Sequence, residues 1–165
     1  MKKLILLVLV LALGATMVCQ TAPKVDVEAE KQKVRAVMEK INAAWEAEDM
    51  EAFSMLVAHD EDMVNFGTDV AERWVGWGAL KEGLQRQFEV FSDTRVTPHH
   101  IDIHVSETGR VAWLAQAMGI STKFLGKPVE LEARITGVFE KRGPDWLLIQ
   151  FHYSVPISES RRISM

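Results

Sequence analysis

The chain predicts an α+β domain, with its helices stacked on one face of an antiparallel sheet, and three observations carry that prediction. Apolar residues recur at helical spacing through the first half of the sequence. They alternate with period two through the second half, and turn-forming clusters divide that half into hairpins. Helices first and a four-strand meander last is the order of a sheet covered on one side, not of alternating βαβ units.

Asp26 is placed to cap a first helix, with Glu28 and Glu30 in the turn where the helix dipole favours negative charge. Val34, Val37, Met38, Ile41 and Trp45 then mark one buried stripe as far as about Glu48. Asp49 caps a second, short helix with Phe53, Leu56 and Val57 inward. Met63-Val64-Asn65-Phe66 reads as a short extended piece broken by Gly67, and Arg73-Trp74-Val75 as a second one. Gly76 and Gly78 open a third helix, whose Leu80, Leu84, Phe88 and Phe91 share a face.

Beyond Asp93, Ile101, Ile103 and Val105 alternate with His100, Asp102 and His104. Glu107-Thr108-Gly109-Arg110, Gly126-Lys127-Pro128 and Arg142-Gly143-Pro144-Asp145 are turns. They separate strands at Val111–Thr122, Val129–Glu140 and Trp146–Val155.

Ahead of this domain, Lys2-Lys3 and the apolar run from Leu4 to Val18 form an export leader, short for a transmembrane helix. Cys19, directly after the run, is the candidate site of lipid attachment. The organisation expected is a leader over residues 1–22, one domain over 23–156 and a polar tail over 157–165. The mature protein is expected in the periplasm or as an envelope lipoprotein, touching membrane only through such an anchor. Its one cysteine lies in the leader, so the domain has no disulfide. With a formal net charge of −4 and no basic cluster in the domain, nucleic acid is not an expected partner.

Strand parity gives a further expectation. Leu147, Ile149, Phe151, Tyr153 and Val155 on the last strand, and Val129, Leu131, Ala133, Ile135, Gly137 and Phe139 on the one before it, fall on apolar faces that should meet the helices. The opposite face still carries Leu114, Met118, Trp146 and Leu148 beside His152. Such a patch predicts a homodimer through the outer sheet surface.

Two segments, NFGTDVAERWVGWGALKEGL and RITGVFEKRGPDWLLIQFHYSVP, together with the helix-first order, resemble the SnoaL-like branch of the nuclear transport factor 2-like superfamily. That superfamily also holds ketosteroid isomerase and scytalone dehydratase. The resemblance covers Val27 to Pro156. It implies a cystatin-like cone, a curved antiparallel sheet wrapped around the N-terminal helices, with a pocket open at one end. It leaves function open, since this fold hosts isomerases, dehydratases and oligomerisation domains alike.

The catalytic aspartate of ketosteroid isomerase corresponds to Asn65 or its neighbour, and Asn cannot take a proton. Asp69 and Glu72 are the nearest acids. The association domain of calcium/calmodulin-dependent kinases lines its pocket with arginines, and the matching positions are Ala115, Gly137 and Tyr153. No basic residue stands there, so an anionic ligand is not expected.

Tyr153, the only tyrosine, is the candidate polar handle, with Trp45, Phe66, Trp77 and Trp113 as the aromatic wall around it. Trp113 is inward by family parity. His99, His100 and His104 read as surface or interface histidines, with no fourth ligand for a metal. No cofactor motif and no nucleophile–base pair stands out. The function expected is therefore binding of a small, largely apolar molecule. The alternatives are an isomerase, dehydratase or hydrolase of the same fold, using Asp69 or Glu72 with Tyr153, and an oligomerisation or interaction module.

Overall fold

The computed structural model describes residues 25–156. The expected leader with Cys19 and the expected polar tail lie outside the described residues.

Helix α1 (Val27–Glu46) begins where Asp26 accepts a hydrogen bond from the Ala29 amide at 3.0 Å. Its stripe of Val34, Met38 and Ile41 is buried. Asp49 caps α2 (Met50–Ser54) in the same way, accepting from the Ala52 amide at 2.9 Å. Strands β1 (Val64–Phe66) and β2 (Arg73–Val75) lead into α3 (Gly76–Val90), and β3 (Phe91–Val105), β4 (Val111–Phe124), β5 (Lys127–Arg142) and β6 (Asp145–Ser154) complete the chain. The two short pieces join the meander in one six-stranded sheet, ordered β2-β1-β6-β5-β4-β3. Among these strands the contact of β1 with β6 is parallel and the other pairings are antiparallel.

Strand β3 starts at the end of α3, well before the alternating run at Ile101. Its register slips between Ser92 and Arg95 and again between Pro98 and His100. Such bulges bend and twist a strand, which is what lets an edge strand curl around a helix. The proline is tolerated because β3 is an edge.

A third irregularity overturns the expected outer patch. Val138 pairs with Gln150 but Phe139 with Leu148, so β6 carries one extra residue at Ile149. The extra residue flips the alternation, and Trp146 and Leu148 point inward along with Phe151. On β4 the inward set is Ala112, Leu114, Gln116 and Met118. Leu114, Met118, Trp146 and Leu148 are therefore core residues, and the homodimer surface built on them does not exist. His152 does face outward, against the edge of the Phe66 ring.

The Glu30 carboxylate fastens the start of α1 to the sheet. It accepts hydrogen bonds from Lys141 Nζ at 2.7 Å, Lys33 Nζ at 2.8 Å and Trp146 Nε1 at 2.7 Å. The lysine hydrogen bonds, Lys141 first, pull its pKa from 4.5 down to about 2, against the opposing effect of burial. Among the described residues no helix is long and apolar enough to cross a membrane.

Candidate functional site

Side chains do not fill the interior of the cone. A cavity of about 130 Å³ remains between α1, α3 and the concave face of the sheet. Ile41, Asn42 and Trp45 of α1 form one wall, and Met118, Ile135 and Phe151 form part of the opposite one. The lining continues through Phe91, Thr122 and Val155 to the end of the sheet that holds the β4–β5 hairpin and the β1–β2 loop.

Polar groups in the wall are few. Tyr153 stands on β6, its ring edge-on to Phe151 at 5.6 Å. Burial alone pushes its phenol well above the usual range, with no hydrogen bond to offset it. The hydroxyl therefore stays protonated and available as a donor. Thr94 and Thr122 bond to each other at 2.8 Å, and Thr122 also donates to the Ser92 carbonyl at 3.2 Å. Asn42 adds an amide from α1.

Glu72 is the only charged side chain lining the cavity among the described residues. It is committed to holding the β1–β2 loop. One carboxylate oxygen accepts from the Thr68 and Asp69 amides at 2.7 and 3.0 Å, and the other from the side chain of Gln87 on α3. Gly67 makes this possible, because a Cβ there would lie 2.1 Å from Glu72 Oε2. Asp69 is exposed and bonds the Ala71 amide at 2.8 Å.

Of the aromatic wall expected from sequence, the cavity gathers Trp45 and Tyr153. Trp113 is 47% exposed and stacks on His104 across the outer surface, 5.4 Å between ring centres. The inward assignment was wrong because Ala112 and Leu114, its neighbours on β4, take the inner face. Phe66 is 41% exposed, since the inward position of β1 belongs to Asn65. Trp77 stacks on His59 at 4.2 Å and does not line the cavity.

Asn65 itself is fully buried and accepts a hydrogen bond from the Phe151 amide at 2.8 Å, a structural duty. Sequence reasoning missed Asn42, although a signal was present. It lies four residues after Met38, a polar group on the buried stripe of α1. Gln87, Phe91, Thr94 and Thr122 gave no such signal, because distant elements bring them together.

A family model described as a SnoaL-like domain matches residues 34–158. No curated protein matches the chain. Among solved structures, a nuclear transport factor 2-like superfamily protein from Salmonella enterica is similar at a TM-score of 0.72. It shares 17% identity, over 80% of this chain and 94% of that one. A candidate scytalone dehydratase from Novosphingobium aromaticivorans is similar at a TM-score of 0.68 and 16% identity, over 79% of this chain and 86% of that one. A candidate calcium/calmodulin-dependent protein kinase II association domain from Xanthomonas campestris reaches 0.66 and 21%, over 82% and 95%. At these identities the likeness is one of fold.

Proposed function

The chain belongs to the SnoaL-like domain family, and from that premise we propose that it binds one small, neutral, largely apolar molecule inside the cone. The observation that carries this reading is the cavity of about 130 Å³, apolar apart from a few fixed groups. An apolar cavity of roughly 150 Å³ admits benzene, whereas drug-sized ligands need roughly 300 Å³ or more. The ligand is then about the size of a single ring or a short branched chain. No cation lines the cavity among the described residues, so an anion would enter without a partner. The Tyr153 hydroxyl, desolvated and protonated, suits a ketone, aldehyde or ether oxygen.

An isomerase, dehydratase or hydrolase would need a free acid or base at the ligand. Glu72 is the one acid in the wall, and three N–H donors already occupy its oxygens. Binding is therefore the better reading. An envelope setting for it rests on the leader and Cys19 alone.

Calorimetry with a single-ring aromatic ketone, its parent hydrocarbon and the corresponding carboxylate tests this. The ketone and the hydrocarbon should bind and the carboxylate should not. Tyr153→Phe should weaken the ketone by roughly fivefold, the worth of one hydrogen bond, and leave the hydrocarbon unchanged. Equal binding of the carboxylate, or no binding by any of the three, would sink the proposal.

A further inference from the structure

The β4–β5 hairpin turns through two residues, Leu125 and Gly126, with φ of +48° and +77°. Positive φ at both central positions is the backbone of a type I′ turn, which favours Asn-Gly and disfavours a bulky side chain at the first position. Leu125 therefore breaks local turn chemistry, and it is also 66% exposed. Its neighbour Phe124 is 42% exposed and packs against Phe91, ring centres 5.2 Å apart. A strained conformation that displays an apolar side chain to water points to use of that side chain.

The hairpin tip also stands at the mouth of the cavity. Phe91 lines the cavity, and the Leu125 amide bonds the Val90 carbonyl at 2.8 Å. Two further apolar residues are exposed on segments that line the cavity. Val155 both lines the cavity and reaches the surface, and Val70 is 100% exposed in the loop whose Gly67 and Thr68 line it. Lysines flank the tip. Lys123 pairs with Asp93 at 2.6 Å, and Lys127 has no carboxylate partner among the described residues.

We propose that the Phe124–Leu125 tip inserts into a lipid surface and holds the cavity mouth against it. Two side chains fall far short of the roughly 800 Å² per partner that a stable protein interface needs. They suit a bilayer, where apolar tips enter the acyl boundary and a flanking cation, here Lys127, reaches a phosphate. An apolar ligand could then pass between membrane and cavity without crossing water.

Hydroxyl-radical footprinting of the full chain, with and without vesicles of mixed phosphatidylcholine and phosphatidylglycerol, reads each side chain separately. On vesicles, Phe124 and Leu125 should lose reactivity by roughly threefold or more, as expected for groups sunk to the acyl boundary. Met55 and Trp113, exposed elsewhere, should keep theirs. In Leu125→Asn the protection of Phe124 should disappear, while the thermal midpoint stays level or rises because Asn suits the turn. A tip that stays reactive on vesicles overturns the proposal and leaves a protein partner as its occupant. Protection that persists in Leu125→Asn, or that covers Trp113 equally, also overturns it, because the leader alone would then hold the protein at the membrane.

Discussion

Where α1 begins, the Glu30 carboxylate collects three N–H donors, whereas in the cavity wall the Tyr153 hydroxyl is desolvated with no hydrogen bond to offset it. Both groups are polar, Glu30 buried and Tyr153 half-buried. One is matched by Lys141, Lys33 and Trp146, and the other faces open volume. Gln116 Nε2 and Asn65 Nδ2 are buried donors without partners among the described residues. Unsatisfied polarity costs stability, and of these three groups only Tyr153 lines the cavity, where a guest can meet it.

Removing the clamp should have the largest effect. The folded pKa of Glu30 lies below its ordinary 4.5, at about 2. Its contribution is therefore complete above pH 4.5 and is lost as pH falls towards 2. The shift corresponds to about 3 kcal/mol, so Glu30→Gln should lower the thermal midpoint at neutral pH by roughly 10 °C. The variant should also lose acid sensitivity between those two pH values, which a series of melts would reveal. An unchanged midpoint would mean that the clamp does not distinguish this end of the cone.

The opposite change sharpens the contrast. Gln116→Met replaces a buried, unpaired amide with an apolar chain of similar volume, between Ile101 and Ile135 in the sheet register. It should stabilise by about 1 kcal/mol, seen as a higher denaturant midpoint with an unchanged slope. A loss of stability would show that the amide has a partner after all.

The outer face belongs to neither region and should respond least. Trp113→Glu should alter stability by less than about 0.5 kcal/mol, since no core contact is removed. If two copies pair through this face, the same substitution should halve the mass seen by light scattering. Leu148→Glu cannot serve for that test, because Leu148 is 1% exposed and would carry its charge into the core. A wild type that is monomeric at micromolar concentration removes the dimer.

Much of the site was out of reach of the sequence for a definite reason. Tyr153 and Trp45 were legible, because each sits on a strongly periodic element whose inner face the apolar residues mark. Trp113 was not, because alternation groups the residues of a strand into two sets without saying which set faces in.

Local chemistry determined the order of elements, the aspartate caps of α1 and α2, the hairpins and the inward faces of α1 and β5. These depend on neighbours within a few residues, which any reader of the sequence has in hand. Tertiary structure alone decided the side on which β4 lies, the extra residue at Ile149 that carries Trp146 and Leu148 into the core, and the conversion of Glu30 from a helix-dipole acid into a buried anchor. The physical reason is common to all three. A bulge or a buried ion cluster is fixed by partners more than a hundred residues away for Glu30, whose bond to Trp146 spans 116 residues, or on the neighbouring strand for β6, and no local pattern carries that information.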